Sequence, residues 1–280
     1  MFFKTVEWFW SNRERHKIKM NQLYRVVETT KQAFHKRLDR HMHFMDEAQQ
    51  LRKLIGEIRG DHPELGARQL YFMIEPGCMG RDKFEAFCFE NGFRVVRKRS
   101  FTRTTNSLGV TRFKNLLTGR ELTGVNQVWV SDITYYQIEE RYYYLTFIMD
   151  LYSRYIVGYS ASENLLTENT TIPALRMAVG WRKVEPGLIL HSDGGGQYYC
   201  KEFRELTTHH QIRNSMGKTV YENPNAERVN GTIKNSYLRH YYPQNFRELK
   251  NELARAVRNY NKRPHQSLNR ISPKQFDKQY

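Results

Sequence analysis

The apolar positions of this chain follow two different periods, and the change falls near residue 126. Ahead of it they recur at helical spacing. Phe3, Val6 and Trp10, then Leu23, Val26 and Val27, predict one or two basic amphipathic helices within residues 1–44. Leu51, Leu54, Ile55 and Ile58 form an i, i+3, i+4, i+7 stripe over Met45–Arg59. The run Asp61-His62-Pro63-Glu64-Leu65-Gly66 breaks it. Shorter helices are expected over Ala67–Ile74 and Arg81–Glu90, separated by Pro76-Gly77 and closed by Asn91-Gly92.

Beyond residue 126 the pattern alternates. Val128–Gln137, Arg141–Tyr152 and Tyr155–Ser160 are rich in β-branched and aromatic residues, with polar turns at Glu139-Glu140 and Ser153-Arg154, and predict a three-stranded meander. A helix over Glu168–Trp181, a buried strand over Leu188–His191, a helix over Lys201–Gln211 and a short strand over Ile212–Met216 come next. Asn223 suits an N-cap and Pro224 a first helical residue, so a last helix of this region is expected from there to about Tyr241. Its apolar face is Ala226, Val229, Ile233, Tyr237 and His240. Glu227 and Lys234 lie at the border of that face, about 10 Å apart along the axis. Antiparallel strands followed by alternating helix and strand predict an α/β layer around a mixed sheet.

Charge sharpens this picture. The net charge is +16 and the sequence pI about 9.7, which suits a polyanionic partner. Gly92–Arg120 carries eight Lys or Arg and no acid, and Arg228–Tyr280 carries twelve bases against three acids. Leu122–Cys200 reverses the balance, with eight acids against five bases. An acidic centre between basic flanks suits an enzyme that holds metal in the middle and nucleic acid across its arms. Cys78, Cys88 and Cys200 lack CxxC spacing and suit a reducing compartment. With no apolar run of ~18 residues and no basic start followed by an apolar centre, a soluble, cytoplasmic protein without membrane contact is expected.

Three acids on separate elements can meet at one point: Asp132 in the first strand, Asp193 at the end of Leu188-Ile189-Leu190-His191-Ser192-Asp193, and Glu227 in the last helix. Taken singly, each has a structural reading. A strand-end Asp is commonly a turn residue, and a first-turn Glu complements the helix dipole. Asp150 is expected to serve Ser153 or Arg154, and His191 either lines the site or packs. Jointly, the acids and the motifs around them resemble the DDE transposases and retroviral integrases. They are similar above all to second-frame (OrfB) transposases of the IS-three insertion-sequence family. The stretches that carry the likeness are Gly66-Ala67-Arg68, Thr104-Thr105-Asn106, Trp129-Val130-Ser131-Asp132-Ile133-Thr134-Tyr135, Asp150-Leu151-Tyr152-Ser153-Arg154, His191-Ser192-Asp193-Gly194-Gly195-Gly196-Gln197-Tyr198, Tyr260-Asn261 and Arg263-Pro264-His265. Asp193 and Glu227 have 33 residues between them, fewer than the family's usual interval. Glu222 would leave only 28 and has Val229, not a base, seven residues on.

The resemblance implies a ribonuclease H-like catalytic core over residues 122–242, with two Mg²⁺ or Mn²⁺ ions on Asp132, Asp193 and Glu227, and Lys234 on DNA phosphate near the cut bond. The reaction implied is metal-dependent cleavage and strand transfer of an insertion sequence. A nuclease that only hydrolyses, or a DNA-binding regulator of transposase descent, stays open at this point. The remaining divisions expected are an N-terminal helical arm (1–44), a helix-turn-helix-like DNA-binding region (45–100), a basic linker (101–121) and a basic C-terminal helix and tail (243–280). Arg239, Tyr241, Tyr242, Arg255, Arg258 and Tyr260 are expected to form a nucleic-acid platform.

DNA contact outside the core is expected at Arg94, Arg97, Lys98, Arg99 and Arg103, which come directly after the third helix. The resemblance implies DNA ends and target as partners, a homo-oligomer on DNA, and fusion or association with an upstream first-frame product. Because the likeness begins within some twenty residues of Met1, the chain alone is expected to bind mainly through backbone charge. Each neutralised phosphate releases about 0.9 of a counterion. Replacing Arg97, Lys98 and Arg99 together with Ala should therefore lower the slope of log affinity against log salt by up to roughly three units. An unchanged slope in a fluorescence-anisotropy titration would remove this arm from the interface.

Overall fold

A computed structural model describes residues 2–95, 113–217 and 223–280. The chain opens with α1 (Phe2–Ser11) and α2 (Met20–Val26), then α3 (Lys31–Asp61), α4 (Ala67–Ile74) and α5 (Arg81–Glu90). The boundary expected at residue 45 falls inside α3, which runs unbroken for 31 residues. No proline interrupts it, and Thr30 accepts a hydrogen bond from the Ala33 amide at its start. Its apolar residues serve two clusters in turn. Phe34 and Leu38 pack with Val6 and Tyr24, and Ala48, Leu51 and Ile55 pack with Leu70, Phe84 and Phe87 of α4 and α5. Arg97, Lys98, Arg99, Arg103 and Glu222 lie outside the described residues.

The second half is a five-stranded sheet, β1 (Val128–Ile138), β2 (Arg141–Asp150), β3 (Ile156–Ser162), β4 (Ile189–Ser192) and β5 (Arg213–Met216), in the order β3-β2-β1-β4-β5. The meander pairs antiparallel, whereas β4 and β5 join parallel to β1, so the sheet is mixed as the pattern predicts. Alternation along β1 sets the layers. Trp129 faces α6 (Thr171–Trp181) and α7 (Lys201–His209), with Leu175, Ala178 and Phe203 buried beneath. Val128 and Val130 face the opposite side, under α8 (Pro224–Ile233) and α10 (Phe246–Lys262). The chain ends with α11 (Pro273–Asp277). The expected helix start at Glu168 moves to Thr171, because Thr170 turns back to donate its hydroxyl to Leu166 O.

Two expectations about the C-terminal part are corrected. The core's packing does not stop at residue 242: α10 buries Leu249, Leu253, Ala256, Val257 and Tyr260 in the same cluster as Ala226, Val229 and Ile233. Asn261 then bridges Ile156 on β3, accepting from its amide at 2.9 Å and donating to its carbonyl at 3.1 Å. Three of the six residues of the expected platform are used internally, while Arg239, Tyr242 and Arg258 are exposed. Tyr260 is buried, Tyr241 donates to Asp61 O at 2.6 Å, and Arg255 pairs with Asp61 at 2.8 Å.

The helix from Pro224 is also not uniform. Lys234–Leu238 forms a π-turn before α9 (Arg239–Tyr241). The wider turn inserts an extra residue and rotates the helix beyond it, so His240, expected on the apolar face, is exposed and meets Glu64 at 3.0 Å. The corner between α3 and α4 docks on this turn. His62 shares a hydrogen bond with the Tyr237 hydroxyl at 3.1 Å, and Ser236 donates to Glu64 at 3.1 Å.

Gly158 on β3 tests the layer spacing. A Cβ there would press into the Ala174 carbonyl and the Ala178 methyl of α6. Gly158→Ala should destabilise the fold by about 3 kcal/mol, the upper part of the range for overpacking, as measured by urea unfolding. A change within about 0.5 kcal/mol, typical of unstrained surface sites, would show that α6 stands further off.

Candidate active site

The sheet register brings two of the acids together. Val130 on β1 pairs with His191 on β4, and the strands run parallel. Asp132 lies two residues beyond that pair on β1 and Asp193 just past the end of β4, near enough for its charge to act on Asp132. Strand separation is about 4.8 Å. Each carboxylate is anchored locally, Asp132 Oδ1 by the Ile133 amide at 2.9 Å and Asp193 Oδ1 by the Gly195 amide at 3.1 Å.

The third acid arrives on α8, which is pinned across β1. Asn223 precedes the helix, but its side chain makes no cap; its amide donates instead to Ser131 O at 2.9 Å, next to Asp132. One turn after Glu227, Asn230 donates to Asp132 Oδ2 at 2.6 Å. Asn230 is buried, and its own carbonyl oxygen has no partner among the described residues. Glu227 stands in the first turn of α8 and is exposed. Among the described residues, no three His, Cys, Asp or Glu side chains are gathered closely enough to hold an ion. Asp132 nevertheless feels both other acids. Burial, then the charge of Asp193, then that of Glu227, push its carboxyl up to about 8, against the Ile133 amide and Lys234. Burial also raises Asp193, opposed by the Gly195 amide.

Lys234 lies seven residues after Glu227, at the start of the π-turn. Its ammonium donates to Thr134 Oγ1 at 2.7 Å and Tyr135 O at 3.3 Å, and sits 5.2 Å from the centre of the Tyr135 ring. Burial lowers its pKa, while Asp132 works the other way. Arg94 is exposed, over the Phe89 ring, away from this cluster.

Three neighbours support the acids without being acids. Asn223 and Asn230 are the first two. The third is Tyr198, buried, whose hydroxyl shares a hydrogen bond with Ser131 Oγ at 2.9 Å and so ties the segment after Asp193 back to β1. Asn230 had a sequence signal, an amide one helical turn from Glu227 among Ala226, Val229 and Ile233. Tyr198 and Ser131 had none, since their bond spans 67 residues. Asp150 is structural as expected, its carboxylate accepting from the amides of Asn126, Tyr152 and Ser153. His191 is buried and packs, with Nδ1 2.9 Å from Ser215 Oγ.

Comparison with known proteins bears on the family and the fold. Models described as the integrase core domain match residues 123–221 and 208–273. The chain is 35% identical over 212 residues to the insertion element IS600 uncharacterized 31 kDa protein of Shigella sonnei, covering 72% of this chain and 76% of that protein. It is 32% identical over 167 residues to the transposase InsF for insertion sequence IS3fB of Escherichia coli strain K12, spanning 56% of each. A chain of the simian T-cell lymphotropic virus intasome, solved in complex with PP2A regulatory subunit B56 gamma, shares the fold. Its TM-score is 0.50 at 20% identity, over 62% of this chain and 61% of that one.

A carboxyl that holds its proton more tightly folded than unfolded weakens the fold as pH rises. For Asp132 this penalty grows from about pH 4 and levels off above about 8. In EDTA, Asp132→Asn should therefore melt above the wild type, and the gap should widen by on the order of 3 °C or more between pH 5 and pH 8. Differential scanning calorimetry measures it. A gap constant with pH would show that Asp132 is not the strained acid.

Proposed function

The chain belongs to the IS3-family transposases that carry an integrase core domain, and on that premise we propose that it cuts the ends of an insertion sequence and joins the freed 3′-hydroxyls to target DNA. The observation that carries this reading is the register that sets Asp132 and Asp193 side by side, with the helix bearing Glu227 fastened to β1 over them.

Asp132, Asp193 and Glu227 would hold two Mg²⁺ or Mn²⁺ ions, which when bound supply the charge that activates an attacking oxygen and steadies a leaving one. The donor set suits hard cations. It offers only carboxylate oxygens, and Lys234 is the one cation acting on Asp132 among the described residues. The chain's own residues supply the rest. The Ile133 and Gly195 amides hold one oxygen of each aspartate, so those two groups need no reordering during reaction. Asn230 keeps the second oxygen of Asp132 in line, and Asp132 must shed its proton before it serves as a ligand. Glu227 stands exposed in the first turn of the fixed helix and would turn toward the two aspartates to complete the set. Lys234, now on Thr134, is within reach to exchange that hydroxyl for a DNA phosphate. The partners are the element's ends and its target, with copies of the chain assembled on DNA and an upstream first-frame product fused or associated.

Asp132→Ala, Asp193→Ala and Glu227→Ala should each remove cleavage and joining while the variants stay folded and bind DNA. Glu222→Ala should be mild. Labelled element ends incubated with Mg²⁺ and a target plasmid give the readout. Substantial activity in any of the three, or a dead Glu222→Ala, would sink the assignment of the triad. Hydrolysis without joined product would reduce the protein to a nuclease.

A further inference from the structure

Arg154, Arg228 and Arg263 come from three distant parts of the chain and converge beside the start of α8. Arg154 sits in the turn after β2 with φ 61, a left-handed conformation that a bulky side chain rarely adopts. Its Nη1 donates to Asn225 Oδ1 at 2.7 Å, in the first turn of α8. Arg228 follows Glu227 on that helix and is exposed. Arg263 follows α10 directly, and its buried Nε has no partner among the described residues. All three lie close enough to the buried Tyr260 and to His265 for their charges to act on both groups.

No acid among the described residues neutralises these cations through an ion pair; the side-chain partners they have are neutral, Asn225 for Arg154 and Tyr237 for Arg263. Among the described residues none of the three forms an ion pair, although Arg68, Arg81, Arg182 and Arg255 all do. The acid whose charge acts on Arg154, Asp150, gives its oxygens to the amides of Asn126, Tyr152 and Ser153. Burial lowers the pKa of Arg154, and the charge of Arg228 lowers it further. Gathering like charges in a half-buried place, at the positive end of a ten-residue helix, is unfavourable unless an anion joins them. Guanidinium groups in this setting favour phosphate, which accepts from several forks at once.

We infer that Arg154, Arg228 and Arg263, together with the start of α8, form a binding site for a backbone phosphate of the DNA substrate, one step along the strand from the phosphate that is cut. The placement comes from the helix. Glu227 and Arg228 are consecutive, so they point about 100° apart: one acid toward Asp132, one base toward the arginine cluster. A strand crossing the start of α8 would meet both. This rests on the proposed reaction on DNA, and it adds a second grip that fixes the strand on one side of the scissile bond.

The test pairs protein and DNA changes. Methylphosphonate linkages, which remove one charge each, are placed singly through the nucleotides around the cleavage site, and binding is measured by anisotropy in EDTA. With wild-type chain, one or two positions next to the cut should lose affinity by on the order of tenfold or more, the usual effect of a charge-assisted contact. Arg228→Gln, at an exposed position, should lose a similar factor on unmodified DNA and lose nothing further at those positions, while Arg228→Lys recovers part. Arg154→Gln should behave alike provided it melts as the wild type does. Millimolar inorganic phosphate should leave binding unchanged if the site reads a DNA strand, and competition by free phosphate would overturn that. Full additivity of the two losses, or lower stability with unchanged affinity, would show an internal structural cluster and overturn the inference. Cleavage and joining by the wild type, run in parallel with Mg²⁺, report separately on the proposed function.

Discussion

Burial of a carboxyl, made more costly by a neighbouring acid, is the constraint around which this core is arranged. Asp132 is set in the central strand, beneath a helix and beside a second acid on the neighbouring strand, where its ionised form is unfavourable. What offsets it is local: one backbone amide, one side-chain amide from Asn230, and the nearby charge of Lys234. The last two depend on α8 crossing β1 at a fixed place. That placement in turn depends on Asn223 at the helix start and on the apolar row Ala226, Val229 and Ile233 beneath it. The packing energy of the layer therefore holds the acids together against their own charge.

β-branched and aromatic runs made the sheet legible, although helices cover both faces and the last six residues of β2 are all buried. The acids were legible because they end or interrupt apolar strands where no packing reason calls for charge. Asn223-Pro224 marked the helix start correctly, yet for a different reason than capping: the Asn side chain reaches Ser131 O, 92 residues away in sequence. The features that stayed hidden are of that long-range kind. The π-turn at Lys234–Leu238 has no helix breaker to announce it, and α10, read as part of a basic C-terminal helix and tail, buries an apolar face in the core. Average charge along a segment says little about an amphipathic helix, since the bases and the buried leucines alternate within one turn.

The basic residues fall into two groups that composition cannot distinguish. Arg255, Arg182 and Arg68 are matched by acids of the same chain and contribute to its internal cohesion. Arg59 is matched by carbonyls, donating to Pro63 O, Leu65 O and Phe93 O and so closing the corner after α3. A net charge of +16 thus overstates the surface available to an anion at some places and understates it at others. What decides is whether the guanidinium's hydrogen bonds are already taken.

The corner at residues 60–65 bears on how such a protein can be dissected. Asp61 alone receives Arg255, Tyr241 and Asn259, while His62 and Glu64 hold the π-turn through Tyr237, Ser236 and His240. A fragment starting at residue 123, where the integrase-core match begins, would keep every acid of the triad. It would also lose the contacts that His62 and Glu64 make to Tyr237 and Ser236, the outer support of the π-turn. The span matched by the integrase-core models is therefore shorter than the span that packs together, and a working fragment has to begin ahead of Gly60, within α3.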